Sequence, residues 1–291
     1  MLNITPDSFY DGGRYLRVED AKQQIEKMIA EGVDIIDVGG FSSKPGTTLP
    51  TVEEELGRIL PVLDVLDTYH MPFSVDTCRS EVVKEILKYK NLRYTNDISG
   101  LTDEKILPLI SGTGVGYILM HIQGTPETMQ QNPHYDDVVS EVYNFLEKKI
   151  AVIQAAGVTD IVVDPGFGFG KTIEHNYGLL RNIGRLTELG YPVLAGLSRK
   201  SMIWRLLDTT PDDTLTETVA LHLFALQNGA NILRVHDVKE HVRALKISEI
   251  IISSSREEDI FDKWNTLKKQ VDRREQKNFY VKEREVWYVH I

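Results

Sequence analysis

Ile161-Val162-Val163-Asp164-Pro165-Gly166-Phe167-Gly168-Phe169-Gly170-Lys171-Thr172 runs from a short β-branched stretch into a carboxylate and then into a glycine-rich loop. Such a run reads as a strand, and the glycines behind it permit a sharply turning connection to a helix. The loop invites a phosphate-loop reading, but the count fails. A Walker A motif needs glycine with four residues between it and Gly170, and that place is Pro165. The better reading is a glycine-hinged loop that brings Phe167 and Phe169 toward the strand ends, where a flat aromatic ligand would stack. A core role for either ring is the plain alternative.

The same grammar recurs along the chain. Further runs stand at Asp34-Ile35-Ile36-Asp37-Val38, Pro72-Phe73-Ser74-Val75-Asp76, Tyr94-Thr95-Asn96, Gly116 to His121, Pro192 to Gly196 and Asn231 to Val235. Between them, residues 19–31, 52–66, 80–88, 135–156 and 214–227 place Ile, Leu, Val and Ala at three- and four-residue spacing, as an amphipathic helix requires. Strand alternating with helix builds βα units around a parallel sheet. With a fragment at Leu2-Asn3-Ile4, about eight units span about 250 residues, the size of a (β/α)8 TIM barrel. A doubly wound open sheet shares this periodicity.

The strand ends carry the decisive residues: Asn3, Asp37, Asp76, Asn96-Asp97, His121, Asp164, Ser198-Arg199-Lys200 and Arg234-Val235-His236. In a parallel barrel these ends face one way and converge on the mouth where active sites lie. Any one of them alone reads equally well as a helix cap or a satisfied turn. The whole set reads poorly that way.

Composition narrows the partners. The 291 residues are 42% hydrophobic and 26% charged, ordinary globular proportions with length enough for a large core. A net charge of -10 argues against nucleic acid and anionic membranes, which need a basic surface. The single cysteine, Cys78, cannot form an internal disulfide; with no His or Lys beside it, it reads as a small buried side chain rather than a nucleophile. No run of about 18 apolar residues offers a membrane span, and no secretory signal opens the chain, so a reducing cytoplasm is expected. Residues 1–252 are expected to form one barrel domain whose first strand is truncated. Residues 253–291, rich in charge and carrying Trp264, Phe279, Tyr280, Trp287 and Tyr288, are expected to be a helix outside the barrel or a disordered tail.

Four further segments carry chemistry. Asn3 to Gly13 is a strand end and a turn-rich loop fixed by Pro6, with oxygen donors suited to Mg²⁺. Gly39 to Gly46 is a second loop, with two hydroxyls and Lys44 ahead of Pro45-Gly46. Leu197-Ser198-Arg199-Lys200-Ser201 and Arg234-Val235-His236-Asp237 follow the seventh and eighth strands, where barrels usually bind phosphate. Two basic clusters on adjacent strand ends of an acidic chain suit a dianionic leaving group. His70, His134, His175, His222 and His241 lack metal-ligand spacing.

Together these segments resemble the dihydropteroate synthase family, from Asn3 to about Ile252. The family's opening corresponds to Asn3 to Gly13 and its second-strand loop to Gly39 to Gly46. Asp76-Thr77, Asn96 to Gly100, Met120 to Gly124, the glycine-phenylalanine loop, Ser198-Arg199-Lys200 and Arg234 to Asp237 match in order. The resemblance implies that Asp76, Asn96, Asp164 and Lys200 hold a pterin ring, with Ile98 and Met120 as apolar walls. It implies that Asn3, Arg234 and His236 hold a diphosphate with Mg²⁺, with Asn3 at the metal. Phe9, Ser43, Pro45, Phe169, Lys200 and Ser201 would surround p-aminobenzoate. The implied reaction loses pyrophosphate from a pterin diphosphate to leave a stabilised pterin cation, which the amine of p-aminobenzoate attacks. Asn3, Lys200, Arg234 and His236 would be the catalytic groups, and no nucleophile is required. A homodimer and sulfonamide binding are also implied.

One loop departs from the family pattern. Where Glu-Ser-Thr-Arg-Pro-Gly is common, this chain has Phe41-Ser42-Ser43-Lys44-Pro45-Gly46, so the lysine keeps the charge and loses the bidentate fork. Two alternatives stay in view. A pterin-binding methyltransferase would have little use for both basic clusters, and a non-catalytic pterin-binding relative would not need the intact set from Asn3 to His236.

Overall fold

The computed structural model describes residues 2–4, 14–41, 46–253 and 287–290, with the backbone alone for Asn3, 14–17, 251–253 and 287–290. The short runs are strands: β1 (Leu2–Asn3), β2 (Ile35–Gly39), β3 (Phe73–Asp76), β4 (Leu92–Asp97), β5 (Gly116–Met120), β6 (Ile161–Asp164), β7 (Leu194–Ala195), β8 (Ile232–Val235) and, in the carboxyl-terminal extension, β9 (Trp287–His290). Helices alternate with them: α1 (Arg14–Glu31), α2 (Val52–Thr68), α3 (Ser80–Ile86), α4 (Ile106–Ile110), α5 (Val138–Ala155), α6 (Ile173–Arg181), α7 (Ser201–Trp204), α8 (Leu215–Gln227) and α9 (Val238–Ser253). Sequence period did not foretell α4, whose Ile-Leu-Pro-Leu-Ile is apolar all round. Among the described residues no helix is long and apolar enough to cross a membrane.

All named strand pairs are parallel, in the order β6-β5-β4-β3-β2-β9-β8-β7. A parallel bridge between Val163 and Val193 joins β6 to β7 and closes the ring, which excludes the open doubly wound sheet. Between β2 and β8 the place of one strand is shared. β9 pairs Val289 and His290 with Ile35 and Ile36, and β1 pairs Leu2 and Asn3 with Val38 and Gly39, further toward the mouth. Residues 287–290 of the extension thus form a strand here instead of the expected helix or disordered tail; residues 254–286 lie outside the described residues. Trp-Tyr-Val-His is a sequence of aromatic and β-branched residues that a pleated strand accommodates and that charge counting overlooks.

Strand period places the site. Successive side chains face opposite ways, so residues two apart share a face. Ile35, Tyr94, Ile118, Val162, Leu194 and Ile232 pack together as one apolar layer within the barrel. Two residues further along each strand stand Asp37, Asn96, Met120, Asp164, Gly196 and Arg234. The barrel interior therefore changes from apolar to polar in a single step. The opposite face of the strands, with Leu119, Val163, Ala195 and Leu233 on one side and Val38 and Val75 on the other, packs under the helices. Burial of each of these Val and Leu side chains contributes about 1.5–3 kcal/mol and holds the polar floor in place.

Candidate active site at the carboxyl ends of the strands

Three carboxyl or amide side chains converge above the apolar layer, and each keeps an acceptor open. Asp76, Asn96 and Asp164 are fully or almost fully buried, and among the described residues Asp76 Oδ1, Asn96 Oδ1 and Asp164 Oδ2 have no hydrogen-bond partner. Burying a polar atom unpaired costs about 1–3 kcal/mol, so three at one place mark a site built to receive donors. The remaining atoms are fixed. Asp164 Oδ1 accepts the Gly166 N–H at 2.7 Å. Asn96 Nδ2 donates to Asp37 Oδ2 at 2.9 Å, and Asp37 Oδ1 accepts the Ser74 hydroxyl at 2.7 Å. Burial pushes the carboxyls of Asp37 and Asp76 above their ordinary range, Asp76 the more strongly because Asp37 adds a second negative charge.

Arg234 crosses this floor from β8. Its Nη2 lies 3.0 Å from Asp164 Oδ2, a charge contact off the angle of a hydrogen bond, so that oxygen can still accept one. Gly196 makes room: a Cβ there would stand 2.9 Å from Arg234 Nε. Lys200 Nζ sits 4.4 Å over the ring of Phe169. Burial, and after it the Arg234 cation, bring Lys200 down to about 8. Phe41, Ile98, Met120, Ile122, Met129 and Phe169 form an apolar cluster at the same mouth.

The loop between β6 and α6 is held from within. Lys171 Nζ, buried, contacts the carbonyls of Gly166 and Phe169 at 2.9 and 3.0 Å and His121 Nδ1 at 3.0 Å. Desolvation brings Lys171 to about 7 and, with Lys171 adding to it, His121 to about 2, so the imidazole is a neutral acceptor. Gly166 (φ 68°) is packed so closely that a Cβ would meet the His121 carbonyl oxygen at 1.9 Å. Thr172 caps α6 by accepting the His175 N–H at 3.2 Å, so the Gly-Lys-Thr triplet that resembles a phosphate loop is a staple and a cap.

The expected site residues sort accordingly. Asp76, Asn96, Ile98, Met120, Asp164, Phe169, Lys200 and Arg234 come together, His236 is exposed on the loop after β8, and Ser201 begins α7. Asn3 ends β1 level with Gly39 and Asp76 by strand register. Phe9, Ser43, Lys44 and Pro45 lie outside the described residues. Phe167 belongs to the core beneath the helices rather than to the mouth, because the left-handed Gly166 and Gly168 on either side turn it outward while Phe169 turns in. Asp97 accepts the Ser99 and Leu101 N–H groups and the Tyr117 hydroxyl, so for this residue the turn reading holds. Cys78 is half-buried and its thiol is pushed up to about 12, chiefly by desolvation, which keeps it protonated. Asp37 and His121 belong to the strand-end set legible in sequence but carry no expected role there, whereas only the fold shows Lys171 turning inward.

Known proteins resemble this chain along most of its length. A family model described as "Pterin binding enzyme" matches residues 1–236. The dihydropteroate synthase of Escherichia coli K12 is 42% identical over 257 residues, covering 87% of this chain and 91% of that one. Among solved structures, Xanthomonas albilineans dihydropteroate synthase with 4-aminobenzoic acid has TM-score 0.81 at 41% identity, covering 87% of this chain and 92% of that one. The Yersinia pestis enzyme in complex with a sulfonamide drug has TM-score 0.81 at 39% identity, covering 87% and 93%.

Proposed function

The chain belongs to the dihydropteroate synthase family of pterin-binding enzymes, and on that premise we propose the following reading of its site. The protein is a transferase that condenses 6-hydroxymethyl-7,8-dihydropterin diphosphate with p-aminobenzoate, giving 7,8-dihydropteroate and pyrophosphate. The observation that carries this reading is the set of open acceptors on Asp76, Asn96 and Asp164 beside Arg234 and Lys200. An aminopyrimidinone edge supplies N–H donors for such acceptors, and a buried carboxylate makes those bonds charge-assisted. Ile98 and Met120 cover the ring faces.

The chemistry asked of the chain is positional and electrostatic. Lys200 and Arg234, with His236 and Asn3, receive the diphosphate and stabilise the charge it gathers as the C–O bond breaks. The electron pair leaves with pyrophosphate, the pterin cation forms, and the amine of p-aminobenzoate bonds to the exocyclic carbon and then loses a proton. Phe169, under the Lys200 ammonium, gives the second ring a flat face, with Ser201 and the residues Phe9, Ser43 and Pro45 expected around it. Holding the amine in line is the other contribution.

Mg²⁺ belongs to this reading. Asn3, by its register at the level of Asp76, would offer an amide oxygen, and diphosphate oxygens would complete an oxygen shell. When bound, the ion would neutralise charge on the leaving group. Residues 1–252, with β9 joining their sheet, carry the site, and the same reading supports a cytoplasmic homodimer and competition between sulfonamides and p-aminobenzoate. Pyrophosphate release from the two substrates with Mg²⁺ tests the activity: release that requires both substrates is expected, and pterin binding without release would leave a non-catalytic relative.

A further inference from the structure

Two buried histidines lie on the helices behind the two basic clusters. His222 on α8 and His241 on α9 are 0% and 2% exposed. His222 Nε2 accepts the Leu197 N–H at 3.1 Å, His222 Nδ1 lies 2.8 Å from His241 Nε2, and His241 Nδ1 lies 2.7 Å from the Asp237 carbonyl oxygen. A carbonyl only accepts, so His241 carries its proton on Nδ1; a backbone N–H only donates, so His222 accepts at Nε2 and carries its proton on Nδ1. One proton arrangement satisfies all three contacts, and in it both rings are neutral. Burial, with His241 next for His222, holds both rings below their ordinary range. His222 also faces the Ala195 carbonyl, the Arg234 cation and His236, whose imidazole desolvation holds well below its ordinary range, and His241 faces Asp237 and Glu240.

The relay ends on the loops that bear the two basic clusters. Leu197 directly precedes Ser198-Arg199-Lys200, and Asp237 directly follows Arg234-Val235-His236. Those loops meet again where Ser198 Oγ accepts the His236 N–H at 3.1 Å and where Arg199 donates to both Asp237 carboxylate oxygens at 3.2 and 2.8 Å. Arg199 sits at φ 52°, a left-handed conformation that costs a non-glycine residue about 1 kcal/mol or more and has to be held by its surroundings. Thr218 supplies part of that hold by accepting the Arg199 N–H at 3.2 Å, one helical turn before His222 on the same face of α8.

We propose that His222 and His241 are positioning residues: by tying the Leu197 N–H to the Asp237 carbonyl they fix the distance between Lys200 on one loop and Arg234 and His236 on the other. The proposal rests on the reading of those three groups as the diphosphate cradle. The device itself is independent of that reading, because it consists of two tautomers.

Imidazole ¹⁵N–¹H correlation spectra of the intact protein should show both rings as neutral Nδ1–H tautomers across about pH 5 to 8. An Nε2–H tautomer at either ring, or a ring titrating in that range, would overturn the relay. Calorimetry with inorganic pyrophosphate and with a pterin lacking the diphosphate tests the role. His222→Leu should weaken pyrophosphate about tenfold and leave the pterin within about twofold, while His222→Gln, whose amide accepts and donates at similar spacing, should restore most of the loss. Should the leucine variant not fold, His241→Leu breaks the relay at its other ring. Equal losses for both ligands, or none for pyrophosphate, would reject positioning. Failure of the wild-type protein to bind pyrophosphate would defeat the cradle, and the positioning role with it, while the spectra still report whether the relay exists.

Discussion

Asn96 donates its side-chain amide to Asp37 at 2.9 Å and thereby presents its own carbonyl oxygen, rather than its NH₂, to the centre of the barrel. The orientation of an amide follows from its hydrogen-bond network, and here a carboxylate, which only accepts, decides it. Asp37 is thus a positioning residue for the acceptor that a pterin would meet.

Asp37→Asn tests this relationship. The variant amide can offer an NH₂ where Asn96 needs an acceptor, so Asn96 loses its fixed orientation. Affinity for a pterin analogue should fall by about 1–2 kcal/mol. Stability should change little, because the substitution also removes a carboxyl whose charge burial disfavours. Calorimetric titration alongside thermal unfolding checks both; an unchanged pterin affinity would show that Asn96 does not depend on Asp37.

Lys200 supplies a pH dependence with a definite sign. At about 8 its ammonium is charged below that pH and lost above it. A dianionic ligand needs the cation, so kcat/KM for the pterin diphosphate should decline as pH rises through about 8, the limb reporting the free enzyme. Lys200→Arg stays charged and should flatten that limb whatever it costs in absolute rate. Profiles of equal shape in the two proteins would assign the titration to another group.

Lys171 makes a separable prediction about stability. The unfolded chain keeps the lysine proton to about pH 10.4, whereas the native chain releases it near 7, so between these values the unfolded state binds more protons. Unfolding free energy therefore rises with pH across that window, by at most about 1.4 kcal/mol per unit from this residue. Lys171→Met should remove the slope and loosen the loop from Gly166 to Gly170. Denaturant titrations of both proteins at several pH values decide the matter, with parallel slopes counting against a depressed Lys171.

Much of this arrangement is legible in sequence because strand period is short and rigid. The carboxylate of Asp164 follows a β-branched run, and period alone puts it on the interior face with Val162. Pairwise consequences of closure are another matter. That Asn96 reaches Asp37, 59 positions away, or that Lys171 turns inward onto His121 rather than outward, depends on shear and packing that no local pattern encodes. In sequence His222 and His241 show only a lack of metal-ligand spacing, and their partnership appears only when α8 and α9 pack. Strand β9 escaped for a different reason: four strand-forming residues at the end of a charged stretch are outvoted in any average over the segment.

Gly196 provides the sharpest test of the Arg234 contact. A Cβ at this position would stand 2.9 Å from Nε, 3.0 Å from Nη2 and 3.3 Å from Cζ of Arg234. These atoms are the far end of a flexible side chain, so Gly196→Ala should move the guanidinium and spare the backbone. Thermal stability should stay within about 3 °C of wild type. Turnover should not, because the displaced cation no longer stands beside Asp164 in the proposed diphosphate cradle; a fall in kcat/KM of about 10- to 100-fold is expected. A double-mutant cycle separates this route from simple strain. In an Arg234→Ala background the space is already vacated, so adding Gly196→Ala should cost little further activity. If the alanine costs the same with and without the arginine, its effect passes through the strand and not through Arg234.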